Sequence, residues 1–90
     1  MDINDYRLEI DAIDIEIVKL FSQRMRVCAE IARYKAQNGL PVFDAGRESK
    51  KMDDILSRTD SDLHEYMAPL YSQVFKLSRL YQERTISGGG

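Results

Sequence analysis

The chain is poor in the devices that staple a small fold from outside its core. Its 90 residues hold one cysteine, Cys28, so no disulfide closes within it. A single histidine, His64, and the absence of any Cys/His cluster leave nothing to bind a structural zinc ion. No stretch approaches the roughly 18 uncharged apolar residues of a membrane span. The opening Met1-Asp2-Ile3-Asn4-Asp5 is acidic where a secretory leader is basic and then apolar, which makes the cytoplasm the expected compartment. An excess of one charge sign is also missing. With 13 basic residues against 15 acidic ones, neither nucleic acid nor an anionic membrane is an expected partner, and any bound anion must meet a local cluster of cations. At 10.4 kDa there is room for one domain. Folding a chain of this size hides only roughly two-thirds of its surface from water, so a partner subunit would help stability.

What the sequence does have is helical periodicity. Ile3, Tyr6, Ile10, Ile13, Ile17, Leu20, Val27, Ile31 and Tyr34 alternate at spacings of three and four, which predicts one long helix. Asn38-Gly39-Leu40-Pro41 ends it, since glycine takes a left-handed cap and proline cannot continue. Asp44 is a good N-cap for a shorter second helix, whose stripe is Met52, Ile55 and Leu56 and which ends near Ser57. After the polar Thr59-Asp60-Ser61-Asp62, where Asp62 and Glu65 have capping-box spacing, a third helix carries Leu63, Met67, Leu70, Val74, Leu77 and Tyr81 to about Thr85. Pro69 predicts a kink or a fresh start within it. The tail, residues 87–90, reads as a linker or tag remnant, leaving 1–86 as the domain. The fold class is therefore all-α, with three helices: one long, one short and one medium.

A helix of roughly 36 residues is ~54 Å long, whereas a compact globule of this size has a radius of gyration of only ~12 Å. The first helix overshoots its own domain, and its seam continues along the overhang. An intertwined homodimer is the expected assembly.

Several charges stand where this pattern asks for something else. Arg24 occupies a seam position, which is costly unless a structural carboxylate or a ligand pairs with it. Lys35 is rotated by only ~20° from Arg24 and displaced by ~16 Å, so the two share a face. Arg7 lies ~25 Å from Arg24 along the axis and reaches the same small ligand only from the other chain of an antiparallel pair. Taken alone it is an exposed first-turn residue beside Glu9 and Asp11. Arg47 and Glu48 open the second helix, where Glu48 also suits the helix dipole. Ser78 and Gln82 flank the third helix's seam on the stripe of Tyr71 and Phe75, either as hydrogen-bonded core residues or as neutral groups facing a cavity between helices. Cys28 reads as a small buried residue and His64 as a surface one.

Arg7, Arg24, Lys35, Asp44, Arg47, Glu48, Ser78 and Gln82, in this order and at these spacings, closely resemble the pattern of the all-helical chorismate mutases. The strings Ile10-Asp11-Ala12-Ile13-Asp14, Tyr34-Lys35 and Leu40 to Glu48 resemble that family too, and the match runs over roughly residues 5 to 85. The family includes mutase domains of bifunctional chorismate mutase/prephenate dehydratase enzymes. Its members convert chorismate to prephenate, on the way to phenylalanine and tyrosine, by an intramolecular rearrangement that uses no cofactor and no metal.

The resemblance implies that Arg24 and the other subunit's Arg7 grip the two substrate carboxylates. It also implies that Lys35 and Gln82 donate to the ether oxygen and that Glu48 accepts from the ring hydroxyl. Arg47 and Ser78 would complete the polar lining, with the Asp44 backbone nearby. Two alternatives stand beside this reading: an isochorismate pyruvate lyase, whose relatives tend to lack an acid at the position of Glu48, and a non-catalytic helical dimerisation module. Pro69 departs from what a typical member would carry.

Overall fold

The computed structural model describes residues 1–89. Three helices account for almost all of it: α1 over Ile3–Gln37, α2 over Ala45–Ser57 and α3 over His64–Arg84. No strand occurs among the described residues. A 3-10 turn, Ser61–Leu63, leads into α3, and a π-type turn, Thr85–Gly89, follows it. The linker expected over 87–90 thus begins inside this turn, and Gly90 lies outside the described residues.

Both ends of α1 are set by local chemistry. Asp2 caps the N-terminus by accepting from the backbone N–H of Asn4 and Asp5, while the Asp5 carboxylate accepts from the N–H of Asp2. This is a capping box with Asp in place of the usual Glu. At the other end Gly39 takes φ +65, and the N–H of Leu40 reaches back to the Lys35 carbonyl at 2.8 Å while that of Gly39 meets Ala36. That is the Schellman arrangement, in which the left-handed residue is best left without a side chain.

Two reversals then bring α3 alongside the C-terminal half of α1, with α2 against α3. Cys28, Ala29 and Ala32 are buried on α1, and Phe75, Ser78 and Gln82 on α3. Small residues on α1 let α3 approach closely, and Tyr71 meets Phe75 edge to face at 5.9 Å. The start of α3 differs from expectation. Asp62 forms no box with Glu65; Leu63 is the first cap and accepts no N–H with its side chain. The His64 ring instead bonds the Thr59 carbonyl at 2.8 Å, which makes it half-buried rather than a surface residue. Pro69 does not restart the helix: α3 runs through it without interruption. Proline's missing N–H leaves the carbonyl one turn back, that of Glu65, without an intrahelical partner, but both residues are exposed and water can supply one.

The larger correction concerns which faces are covered. The stripe expected to be the main seam of α3 is mostly exposed, with Leu63, Leu70, Leu77 and Tyr81 all open, whereas the neighbouring stripe with Phe75, Ser78 and Gln82 is buried. On α1 every residue up to Leu20 is exposed, including Ile10, Ile13 and Ile17. The molecule measures 54 × 28 × 14 Å with a radius of gyration of 16.2 Å.

Candidate functional site

Each helix contributes one stripe to a common cavity of about 340 Å³. On α1 it is Arg24, Cys28, Ile31 and Lys35. The start of α2 supplies Asp44, Arg47, Glu48 and Lys51, and α3 supplies Phe75, Ser78, Arg79 and Gln82. The last two sets repeat the spacing i, i+3, i+4, i+7, which places four side chains on one helical face. Seven of the eight residues singled out from the sequence therefore line one cavity, and the eighth, Arg7, lies on the exposed half of α1, outside it.

The seam-breaking Arg24 finds no carboxylate. Its guanidinium donates to the Ser78 hydroxyl, lies 3.8 Å from the Cys28 sulfur and stands 6.0 Å from the centre of the Phe75 ring. The Ser78 hydroxyl in turn donates to the Val74 carbonyl at 2.7 Å. Lys35 donates from Nζ to the Val42 carbonyl at 2.9 Å, tying α1 to the loop before α2. Asp44 caps α2, its Oδ1 accepting from the Arg47 N–H at 2.9 Å, as its sequence position predicts. Gln82 is only 8% exposed, and its Oε1 has no hydrogen-bond partner. A buried polar atom left unpaired is costly. Because the two ends of an amide exchange by a half-turn, Gln82 can offer a guest either an acceptor or a donor.

Glu48 is not the free acceptor that its place in the first turn suggests. Both its oxygens accept from one nitrogen of Arg79, whose guanidinium also lies 4.9 Å from the centre of the Phe43 ring. Sequence reasoning passed over Arg79 and Lys51. Their signal is the helical spacing to Ser78 and Gln82 in one case and to Asp44 and Arg47 in the other, but a charged residue on a helix is ordinary and breaks no pattern.

The electrostatic balance follows. Lys51 pairs with Asp54 and Arg79 with Glu48, while Arg24, Lys35 and Arg47 form no salt bridge among the described residues. The cavity lining sets Arg24, Lys35, Arg47, Lys51 and Arg79 against Asp44 and Glu48, while on the surface Arg33 pairs with Glu30 and Arg58 with Asp54. The Arg58 hydrogen bond holds the Asp54 carboxyl below the usual carboxylate range. The cavity thus carries an unbalanced positive charge suited to a multiply charged anion. The Ser78 hydroxyl and Cys28 thiol have no base beside them, and no group of His, Cys, Asp and Glu able to hold a metal ion occurs among the described residues. What these groups can do is grip an anion and donate hydrogen bonds to it.

Comparison with known proteins agrees with this geometry. A 46-residue stretch, 51% of the chain, is 37% identical to the T-protein of Haemophilus influenzae and covers 12% of that protein. Over 88 residues, 96% of the chain, it is 27% identical to a bifunctional chorismate mutase/prephenate dehydratase of Buchnera aphidicola subsp. Schizaphis graminum, covering 23% of it. The chain thus spans less than a quarter of the length of either relative. No solved structure shows significant similarity to it. The model of the family described as chorismate mutase type II matches residues 6–83, so an all-helical cavity with an unbalanced cationic lining and a match over nearly the whole chain lead to one assignment: the chain belongs to the type II chorismate mutase family.

Proposed function

We propose that the chain rearranges chorismate to prephenate in the cytoplasm, as a homodimer whose two sites each take residues from both subunits. In this reading residues 1–86 form the domain and 87–90 a linker. The observation that carries it is the cavity in which Arg24, Lys35 and Arg47 lack anionic partners and the buried Gln82 amide has an oxygen without a hydrogen-bond partner. Chorismate is a flexible dianion. Its rearrangement breaks one C–O bond as a C–C bond forms, so the protein must hold a compact, chair-like shape and offer donors to the ether oxygen as charge builds there. Arg24 and Arg7 of the partner subunit grip the carboxylates, since guanidinium binds carboxylate through two parallel hydrogen bonds. Lys35 and Gln82 donate to the ether oxygen, Glu48 accepts from the ring hydroxyl, and Arg47, Ser78 and the Asp44 backbone complete the lining.

Surface area supports the dimer. A compact monomer of this mass exposes about 5,400 Å² by the usual scaling, whereas this chain exposes 7040 Å². An excess of about 1,600 Å² per subunit falls in the range of obligate dimers. Charge supports the orientation. The exposed half of α1 carries Asp5, Glu9, Asp11, Asp14 and Glu16 against Arg7 and Lys19, and the packed half carries Arg24, Arg26, Arg33 and Lys35 against Glu30. Two such rods attract when antiparallel and repel when parallel.

The test offers the purified chain chorismate and isochorismate separately. Prephenate formed from chorismate is the expected result, and pyruvate released from isochorismate alone would make the protein a lyase. Turnover of neither, together with no thermal stabilisation by a chorismate-like dicarboxylate, would leave a dimerisation module.

A further inference from the structure

We propose that Arg79 is a positioning residue for the rearrangement, acting through Glu48; the inference rests on the function proposed above. Among the described residues, Arg79–Glu48 is the only ion pair that joins two helices, the others being local pairs three or four residues apart. It is also the least exposed, at 29% for Arg79 and 25% for Glu48. The Phe43 ring and the carboxylate both engage the guanidinium, so loop, α2 and α3 meet at this point.

Two consequences follow for a site that takes a dianion. First, a glutamate side chain has three free torsions, and anchoring both oxygens fixes where its remaining lone pairs point. A carboxylate has about four acceptor sites, so one nitrogen of Arg79 leaves room for a substrate hydroxyl. Second, an unpaired carboxylate in this cavity would repel the two carboxylates of the ligand. Arg79 cancels that charge locally and makes an acceptor of this strength compatible with an anion site. Because it is committed to Glu48, Arg79 is not one of the cations that grip the substrate.

A double-mutant cycle tests this. Arg79→Ala is expected to lower kcat/KM by about 10- to 100-fold in the parent chain, the usual effect of deleting a charge-assisted hydrogen bond. In an Glu48→Gln background, where no carboxylate remains to be anchored or neutralised, the same change is expected to cost less than about threefold. Arg79→Lys, which keeps the charge, recovers part of the loss, and helix content and dimer mass stay unchanged. If Arg79→Ala does not fold, Arg79→Gln, which keeps the stem over Phe43, replaces it in the same cycle. Equal losses in the two backgrounds would overturn the inference, since Arg79 would then act on the substrate or the fold directly; so would no loss in the parent. A parent chain without turnover on chorismate removes the function reading and this inference together, whereas an active parent with additive losses removes only this one.

Discussion

The two halves of α1 are one continuous helix with the same apolar period and opposite surroundings. From Phe21 onward the helix packs on α3 and presents Arg24, Cys28, Ile31 and Lys35 to the cavity. Up to Leu20 it touches nothing that covers it, although Ile3, Ile10, Ile13 and Ile17 repeat the seam and Leu8 and Ile15 fall roughly opposite on a wheel of 100° per residue. Apolar residues on both sides of an uncovered helix suit insertion between two elements, which is the place the proposed dimer gives it. Periodicity therefore tells that a helix forms, whereas its surroundings decide what that helix is for.

The largest effect is expected from a charge on the uncovered half. In an isolated chain Ile13 is 53% exposed, and Ile13→Asp would be harmless there. In the proposed dimer it buries an unpaired carboxylate in each subunit, at a cost of several kcal/mol apiece. Sedimentation should show loss of the dimer and circular dichroism loss of helix; a variant that stays folded at the parent's mass would make the two halves independent.

Next comes a change in each half. Arg24→Ala and Arg7→Ala are each expected to lose about 100- to 1,000-fold in kcat/KM, because in the proposed shared site each removes a charge-assisted grip on a substrate carboxylate. The Arg24 variant should melt no lower than the parent, since Arg24 balances no carboxylate in the ligand-free chain. Random mixing of the two inactive proteins gives heterodimers in which both lesions fall in one site, so about a quarter of the parental sites should return. Confirmed heterodimers with no activity would show that the sites are not shared.

Gln82→Glu sharpens the role of the packed side. The parent profile is expected to be nearly flat through neutral pH, because an amide does not titrate. The variant's rate should fall as pH rises, since the ionised carboxylate repels the oxygen on which charge develops. A profile as flat as the parent's would take Gln82 away from the breaking bond.

The smallest effect lies at the C-terminal end of α2. The folded state lowers the affinity of the Asp54 carboxyl for its proton, through Arg58 first, so the pair adds stability above the ordinary carboxylate range and loses it as pH falls through the lowered value. Arg58→Ala should therefore cost a little in melting temperature at pH 7 and nothing near pH 2, as followed by thermal denaturation.

Much of this was legible in the sequence because local chemistry writes it there. The seam gave the extent of α1, Gly39 its stop and Asp44 the start of α2, each through one backbone conformation or one hydrogen bond. Arg24 drew notice by breaking a pattern. Arg79 broke none, and its partner lies on another helix, so only the packed chain reveals it. The early course of α3 was missed for a similar reason. Solvent around Pro69 and the His64–Thr59 bond decide it, and neither has a sequence period. Which stripe of α3 is buried is not legible either, because the more apolar stripe is left open on this chain and the one with Ser78 and Gln82 is covered.

That choice of stripe has an evolutionary side. Of the six residues buried within the chain, Ser78 and Gln82 are polar, and Cys28 and Phe75 also line the cavity, so little of the interior is spared from the chemistry. Replacing Gln82 by Leu would relieve an unpaired amide and, in the proposed site, remove the donor to the ether oxygen. A sequence with this interior has few positions that can change through packing alone, and most routes to a hardier variant pass through the exposed apolar face.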